Sequence, residues 1–319
     1  MKVLLTGGCG FIGSNVADAY VERGYEVVIV DDLSTGKLEN KNPEARFYRL
    51  DINDEALEEV FEKEKPDIVN HHAAQISVPY SVENPLLDAR INIEGTIRLL
   101  QLSKKYRVKK FIFASTGGAI YGETYMIPTK EECVPEPRSP YAISKLACEK
   151  YILFYHHQHG LNFMILRYSN VYGPRQIPHG EAGVVAIFIE KLLSNEVPVL
   201  YRYPGQERGM IRDYVYVKDV ARANILSSEI DKIGIFNIST GVGTETLELY
   251  GKITKALREN GIGAGKYFEE PKRALARPGD LKVSILDPHK AKRELHWEPE
   301  YDLDSGLNET VRWYVHGKN

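Results

Sequence analysis

Short apolar runs alternate with segments of helical periodicity along the first half of the chain. Residues 2–5 and 25–30 are apolar and partly β-branched, and the helical spacing between them, over 15–23, stops at Gly24. The alternation continues with predicted helices over 56–64, 87–106 and 141–159 and predicted strands over 67–70, 110–114 and 162–168. Continuously apolar strands separated by amphipathic helices indicate a parallel sheet that is covered on both faces. We therefore expect a doubly wound α/β fold.

The turn between the first strand and the first helix is rich in glycine. Its sequence, TGGCGFIGS, places Gly7, Gly10 and Gly13 where the backbone can come close to a ligand and to the packed helix. A helix that begins here offers free N–H groups and a positive dipole end to phosphate. A plain turn is the alternative, and the flanking strand and helix argue against it. The loop therefore predicts a dinucleotide site of the Rossmann type, with Phe11 and Ile12 at the pyrophosphate.

The second strand ends in a carboxylate, Asp31, 18 residues after Gly13. A carboxylate at this place accepts hydrogen bonds from both ribose hydroxyls and repels a 2′-phosphate, which favours NAD over NADP. A surface turn at Asp31 and Asp32 is the alternative. We expect the cofactor also to contact the rest of this loop and the end of the third strand, at Asp32, Ser34, Gly36, Asp51 and Ile52.

After Tyr172 the pattern changes. Segments rich in Gly and Pro, such as VYGPRQIPHG and YRYPGQERG, alternate with short predicted helices over 184–193 and 245–259. Loops of this kind around a smaller unit are typical of a substrate-binding cap. Residues 213–223 and 235–239 have the pattern of returns to the main sheet. We therefore expect residues 1–171 plus about 212–240 to form an NAD-binding domain, and about 172–211 with 241–319 to form a smaller, discontinuous α/β substrate-binding domain.

A Tyr-x-x-x-Lys pair, Tyr141 and Lys145, lies in the predicted helix 141–159. Residues four apart share a helix face, so the ammonium favours ionisation of the phenol, whose free pKa is about 10. A tyrosine tuned in this way can take a proton from a sugar hydroxyl while the same carbon is oxidised. The preceding strand ends in Ser115 and Thr116, at the edge where parallel sheets bind ligands. Thr116 is the first candidate for contacting the reacting oxygen and Ser115 the second; a hydroxyl satisfied by backbone is the alternative.

The composition excludes several other functions. The chain has 319 residues with 41 basic and 44 acidic side chains, a formal net charge of −3 and no polybasic stretch, which argues against nucleic-acid and anionic-membrane binding. No apolar run approaches the ~18 residues of a membrane span, and the N-terminus passes directly into glycines, so we expect neither a membrane segment nor an export signal. Three cysteines without CxxC spacing indicate a reducing cytoplasm. These are Cys9, Cys133 and Cys148; we expect His156, His157 and His159 to be solvated, and we predict no metal.

The motifs occur together and in order: TGGCGFIGS, Asp31, STGGAIYG, YAISK, LRYSNVYGPRQ, RDYVYVKDVA and RPGD. The chain thereby resembles the extended short-chain dehydrogenase/reductases that act on nucleotide sugars, and it is most similar to the UDP-glucose (UDP-galactose) 4-epimerase family. The resemblance implies a catalytic triad of Thr116, Tyr141 and Lys145, NAD as cofactor, a UDP-sugar as substrate, and a homodimer through the helices over 87–106 and 141–159. The further contacts that it implies are Ala73, Ala74, Asn92, Tyr168 and Ser169 on the cofactor, Asn170, Arg212 and Arg277 on the diphosphate, and Asp280 on the uridine ribose.

Differences within the family decide the expected reaction. The related 4,6-dehydratases carry an acidic pair directly after the threonine, whereas Gly117 and Gly118 stand here and perform no acid–base chemistry. NAD-dependent inversion at C4 of a UDP-hexose, through a 4-keto intermediate, is therefore the predicted reaction. Ser284, where some epimerases carry a bulky residue, leaves room for N-acetylated sugars. The alternatives are a UDP-glucuronate 4-epimerase with Arg175 or Arg208 on the carboxylate, another nucleotide-sugar oxidoreductase, and a binder without catalysis.

Overall fold

A seven-stranded parallel sheet forms the centre of the molecule. The structure is a computed structural model that describes residues 1–178, 183–263, 268–277 and 279–317. The strands of the sheet are β1 (Lys2–Thr6), β2 (Glu26–Val30), β3 (Arg46–Tyr48), β4 (Ile68–His71), β5 (Lys110–Thr116), β6 (Asn162–Tyr168) and β10 (Gly234–Ile238). Their order is β10-β6-β5-β4-β1-β2-β3, so the chain builds the sheet outward in both directions from β1. Ligands of such sheets bind outside the carboxyl ends of the strands at this reversal.

Helices cover both faces of the sheet, which confirms the predicted doubly wound α/β fold. Val3 and Leu5 of β1 pack on one face and Leu4 on the other, because successive strand residues point to opposite faces. The helices are α1 (Phe11–Glu22), α2 (Leu57–Glu64), α3 (Val78–Glu83), α4 (Pro85–Ala89), α5 (Gly95–Lys105), α6 (Gly117–Ile120), α7 (Pro140–His159), α8 (Val184–Leu193), α9 (Val217–Glu229), α10 (Thr246–Glu259), α11 (His289–Leu295) and α12 (Leu303–His316), with a 3₁₀ turn at Leu38–Asn40.

The long helix predicted over 87–106 is interrupted. Two short helices, α3 and α4, begin before residue 87, where the sequence predicted no element, and a π-helical turn at Arg90–Glu94 separates α4 from α5. Each of the two short helices has a proline in its first turn, and Ser77 accepts a hydrogen bond from the Tyr80 N–H as the cap of α3. A serine cap with a proline in the first turn therefore marks the start of a helix, which the hydrophobic periodicity did not predict.

Two smaller sheets lie beside the main one. Their strands are β7 (Asn170–Tyr172), β8 (Val199–Arg202), β9 (Ile211–Tyr216), β11 (Gly243–Glu245), β12 (Lys272–Leu275) and β13 (Val283–Ser284). β9 pairs with β7, β11 and β13, and β8 pairs with β12. The prediction that the chain returns to the main sheet at 213 is therefore wrong for β9, whereas β10 does join the main sheet, against β6. Helix α9 packs on α1, so the return begins with that helix.

Candidate active site

The glycine loop is shaped by close backbone packing. Gly7 has φ +70°, and a Cβ there would lie 2.7 Å from the Ala73 nitrogen; a Cβ on Gly13 would lie 2.1 Å from the Gly7 oxygen. Both glycines therefore let the loop pack between the end of β4 and the start of α1. A Cβ on Gly10 would meet only the Gly7 oxygen, at 3.3 Å. Gly10 is the N-cap residue of α1 and has no side chain that could accept a hydrogen bond. The first N–H groups of the helix are therefore without a side-chain acceptor at the cap.

Asp31 lies at the end of β2, beside this loop. Its carboxylate accepts hydrogen bonds of 2.9 Å from the Cys9 and Leu33 N–H groups, and its burial raises its pKa. A Cβ on Gly36 would lie 2.9 Å from Asp31 Oδ1, so a glycine is needed where the loop passes this close to the carboxylate. The neighbouring predicted contacts differ in exposure: Asp32 accepts from Ser34, Asp51 is exposed, and Ile52 is buried.

Hydrogen bonds with Thr6 and Asn92 fix the loop that follows β4. The Ala73 N–H donates to Thr6 Oγ1 at 3.2 Å. Asn92, in the π-helical turn, accepts from the Gln75 N–H at 2.9 Å and donates to the Gln75 oxygen at 3.0 Å. Asn92, predicted as a cofactor contact, thus holds the loop that carries Ala73 and Ala74 in place.

Thr116, Tyr141 and Lys145 come together at the carboxyl end of β5. The Thr116 hydroxyl lies close enough to the Tyr141 phenol to lower its pKa, and Lys145 Nζ donates to the Ala114 oxygen at 3.0 Å. The sequence predicts that positive charge lowers the pKa of Tyr141; in the chain without NAD, burial acts in the opposite direction. Burial raises the pKa of Tyr141 to about 12, against the opposing effect of the Thr116 hydrogen bond, and burial lowers the pKa of Lys145 to about 8. Desolvation therefore outweighs the attraction that helical spacing suggests.

Two predicted contacts point elsewhere. Ser115 donates a hydrogen bond of 2.6 Å to Glu149 Oε1 and is buried, so the structure corrects its candidacy as a catalytic hydroxyl. Successive residues of β5 alternate in direction, which is why Thr116 meets Tyr141 and Ser115 does not. Tyr168 is buried, and its hydroxyl accepts from Asn224 Nδ2 at 2.9 Å. Its hydroxyl is therefore turned toward α9 instead of projecting into the cleft.

A partly buried cation, Arg212, lies on β9. Arg212 Nη1 donates to the Ile211 oxygen and Nη2 to Met210 Sδ, and burial lowers the pKa of the guanidinium. Among the ion pairs of residues 1–178, 183–263, 268–277 and 279–317, none includes Arg212. Even a partly buried guanidinium without an ion-pair partner is costly, and an anion with two oxygens, such as a phosphate, would compensate it.

The other predicted substrate residues surround Arg212. Asn170 on β7 donates to the Asp213 oxygen at 3.1 Å, and Ser284 on β13 stands opposite Arg212 in the strand register. Arg277 Nε donates to Asp280 Oδ2 at 3.2 Å, and its guanidinium lies 4.7 Å from the centre of the Tyr201 ring. Pro278, between them in the RPGD motif, lies outside the described residues.

Neither a membrane span nor a metal cluster is found within the described part of the chain. None of its helices is both long and apolar enough to cross a bilayer. Its His, Cys, Asp and Glu side chains form no group of three that could hold a metal ion. His156, near the end of α7, contacts the Leu161 oxygen instead.

Comparison with known proteins decides the family. A model described as the NAD dependent epimerase/dehydratase family matches residues 3–239. The chain belongs to this family. It is 47% identical to a UDP-glucose 4-epimerase of Thermotoga maritima solved with UDP-glucose, with a TM-score of 0.93 over 99% of both chains. It is 43% identical to the UDP-glucose 4-epimerase of Thermus thermophilus in complex with NAD, with a TM-score of 0.91 over 100% of both.

A third solved relative widens the range of sugars within this epimerase family. The UDP-N-acetylglucosamine 4-epimerase of Methanobrevibacter ruminantium, in complex with UDP-N-acetylmuramic acid, is 37% identical to this chain. Its TM-score is 0.90, over 99% of this chain and 98% of that one.

The residues present fit the NAD of this epimerase family. The turn at Gly10, which carries no side chain, has room for a pyrophosphate, and the Asp31 carboxylate, which accepts two backbone hydrogen bonds, has acceptor positions left for ribose hydroxyls. The same carboxylate repels the 2′-phosphate of NADP. Thr116, Tyr141 and Lys145 lie at the same edge of the sheet, two strands from the glycine loop.

Sequence reasoning missed two residues that shape this cleft. Tyr203 donates a hydrogen bond to the Asp280 oxygen and lies within electrostatic range of Arg212. Its place in the Gly- and Pro-rich YRYPG segment was the available signal. Asp88 is fully buried beneath α7, and nothing in its local sequence distinguishes it from a solvated helix acid.

Proposed function

We propose that this chain inverts C4 of a UDP-hexose, interconverting UDP-galactose and UDP-glucose with NAD through a 4-keto sugar. The observation that carries the proposal is the meeting of Thr116, Tyr141 and Lys145 at the end of β5, together with the partly buried Arg212 on β9, which forms no ion pair in the described chain. NAD, when bound, supplies a reversible two-electron oxidation of the C4 carbinol. The chain's own residues supply the proton transfer and the grip on the diphosphate.

The roles of the three residues follow from their contacts. Tyr141 takes the proton of the C4 hydroxyl and later returns it, while Thr116 holds the same oxygen by a hydrogen bond. Because burial disfavours the phenolate, it forms only beside positive charge, and Lys145, one helical turn away, is the cation that α7 places there. Anchoring the nucleotide through Asn170, Arg212 and Arg277 leaves the sugar free to present either face.

The residue after Thr116 argues against dehydration. A Cβ on Gly117 would lie 2.3 Å from Leu286 Cδ1, so no acidic side chain fits there without displacing Leu286. The Cβ of a residue at Gly118 would lie 4.0 Å from Thr116 Oγ1, but the glycine there offers no proton donor. Removal of water from C5 and C6 of the sugar needs an acid and a base that this stretch lacks.

Two ion pairs argue against a uronic acid as substrate. Arg175 pairs with Asp18 at 2.7 Å, on the side of α1, and Arg208 pairs with Glu245. Both arginines are therefore occupied by carboxylates of the chain itself. Ser284 is small and partly buried in register with Arg212, which supports tolerance of N-acetylated hexoses.

A proton NMR time course tests the function. The purified protein is incubated with UDP-galactose, first as isolated and then with added NAD, without a reductant. We expect UDP-glucose to appear, and Tyr141→Phe to abolish turnover while UDP binding persists. A 4-keto-6-deoxy sugar would mean a dehydratase. If no UDP-hexose, UDP-N-acetylhexosamine or UDP-uronate changes, the protein binds nucleotide sugars without catalysis. Near-normal turnover by the Tyr141→Phe variant would overturn the assignment of Tyr141 as the base.

We further propose a homodimer. The outer surface formed by α3, α4 and α7 carries large exposed apolar side chains, and exposed groups of this kind commonly mark protein contacts. They are Val82, Leu86, Leu87, Ile143, Tyr151 and Phe154. Sedimentation should give a dimer that Phe154→Glu dissociates, whereas the same change at exposed Leu275 should not; a monomeric wild type refutes it.

We also assign the binding of the nucleotide sugar to the smaller unit around β9 and the binding of NAD to the main sheet. A cytoplasmic location accords with Cys9, Cys133 and Cys148, which are all free. Fractionation of the source cells tests the location, and recovery of the chain outside the cytoplasm would refute it.

A further inference from the structure

A carboxylate that the proposed chemistry does not use lies beneath the catalytic helix. Asp88, on α4, is fully buried. In the described part of the chain its hydrogen-bond partners are three neutral donors. Gln75 Nε2 donates to Oδ1 at 2.8 Å, Asn92 Nδ2 donates to Oδ1 at 3.1 Å, and Ser144 Oγ donates to Oδ2 at 2.6 Å.

The three donors come from three different elements. Gln75 lies in the loop after β4, Asn92 in the π-helical turn, and Ser144 on α7 between Tyr141 and Lys145. Gln75 also donates to the Ser77 oxygen, and its backbone is clamped by Asn92. One carboxylate therefore joins the Gln75 loop to the catalytic helix through direct hydrogen bonds.

We propose that Asp88 is a positioning residue of the active site, which fixes the Gln75 loop against α7 and places a negative charge beside Tyr141 and Lys145. The proposal rests on the proposed function for the roles of those two residues. A salt bridge would neutralise the carboxylate locally, but the three donors that hold it are neutral, so its charge acts on the groups around it.

The charge has a defined effect on both residues. Asp88 raises the pKa of Tyr141 and the pKa of Lys145, since a nearby anion disfavours the phenolate and favours the ammonium. For Lys145 this opposes burial, which lowers its pKa to about 8. Asp88 thus helps to keep Lys145 charged, at the cost of a less acidic Tyr141.

Two other titratable groups around Asp88, Cys148 and Glu149, also raise the pKa of Lys145, whereas Asp88 is the charged group of the described chain that raises the pKa of Tyr141. On α7, Cys148 has its pKa raised to about 11 by burial, and the carboxylate of Glu149 is paired with Arg167 at 2.6 Å. At the end of β4, burial lowers the pKa of His72 to about 3 and that of His71 well below its ordinary value, so both are neutral. The charged and phenolic side chains on α3 and the π-helical turn are exposed: Tyr80, Glu83, Arg90 and Glu94.

The test separates the charge of Asp88 from its hydrogen bonds. Asp88→Asn keeps the shape and removes the charge, and Ser144→Ala keeps the charge and breaks the link to α7. In Asp88→Asn we expect both limbs of the pH profile of kcat/KM to move to lower pH by about one unit. In Ser144→Ala we expect kcat to fall about tenfold while both limbs and the affinity for UDP stay in place. Asp304→Asn, at an exposed pair with Lys252, is the matched control and should change none of these.

Each outcome decides one part of the proposal. If the pH profile of kcat/KM does not shift in Asp88→Asn, the electrostatic role is overturned. If kcat does not change in Ser144→Ala, the positioning role is overturned. If Asp88→Asn does not fold, Ser144→Ala still decides the positioning role.

A measurement without turnover separates failure of this proposal from failure of the proposed function. Tyrosinate absorbance is titrated in chains with and without Tyr141→Phe, and the difference gives the ionisation of Tyr141 alone. We expect the pKa of Tyr141 to be lower in Asp88→Asn than in the wild type. An equal pKa would refute the charge effect even if the wild type epimerises, and a lowered one would support it even if the wild type does not.

Discussion

Lys145 donates a hydrogen bond of 3.0 Å to the carbonyl oxygen of Ala114, two residues before the end of β5. The bond holds the ammonium at the carboxyl edge of the sheet, where Thr116 and Tyr141 also lie. Its Nζ lies 4.8 Å from the centre of the Phe113 ring, so a single bond and a ring face replace most of its hydration. The Lys145 ammonium is therefore held at the site, but it is easily deprotonated.

Alkaline pH should reveal that loss. Burial depresses the pKa of Lys145 to about 8, so the free protein loses the ammonium as the pH rises through that value, and kcat/KM should fall above it. Lys145→Arg keeps its charge at every working pH, so this alkaline limb should disappear even where the rate is lower. If the alkaline limb of the kcat/KM profile persisted unchanged in Lys145→Arg, that limb would belong to a group other than Lys145.

Binding of UDP should depend on Arg212. Arg212→Met removes a partly buried guanidinium that forms no ion pair in the described chain, and should weaken the binding of UDP by about 10- to 100-fold. Titration calorimetry with UDP measures this without turnover. Arg208→Met is the matched control, because Arg208 pairs with Glu245 at the surface. Equal effects of the two variants would contradict a diphosphate site at Arg212.

The glycine loop should separate cofactor binding from folding. Gly13→Ala places a Cβ 2.1 Å from the Gly7 oxygen and should lower both thermal stability and NAD retention. Gly10→Ala meets only the Gly7 oxygen at 3.3 Å, so its melting temperature should stay nearer that of the wild type while NAD retention falls. NAD released on heating is measured for each variant. Full retention of NAD by Gly10→Ala would show that the pyrophosphate does not approach this turn.

A buried ion pair between β6 and α7 should stabilise the fold beside the site. Arg167 bonds both Glu149 oxygens, at 3.0 and 2.6 Å, and both side chains are almost fully buried. Arg167→Met leaves that carboxylate without its cation and should lower the free energy of unfolding by about 3–5 kcal/mol. Urea denaturation measures it. Lys252→Met, from the exposed pair with Asp304, should cost about 0–1 kcal/mol, and a similar loss in both variants would contradict the prediction.

Much of the fold could be predicted because its signals are local. The alternation of apolar runs and helical spacing predicted the strands of the main sheet except the span of β3, and the strand and helix that flank Gly7 to Gly13 indicated a dinucleotide loop. The break of the helix at Arg90–Glu94 was missed, since a π-helical turn has nearly the same spacing of apolar residues as the helix around it. The membership of β9 in a second sheet was missed because strand partners are distant in sequence.

The sequence by itself determined the doubly wound fold, the glycine loop, Asp31 and the Tyr141/Lys145 pair, because backbone turns and residue spacing along one element are properties of neighbouring residues. Only the tertiary structure decided which hydroxyl meets Tyr141, since Thr116 and Ser115 differ only in the face of β5 on which they lie. It also decided that Arg212 is partly buried without an ion pair in the described chain, while Arg175 and Arg208 are paired. Burial and charge at a site are sums over groups from many elements, and no local pattern encodes that sum.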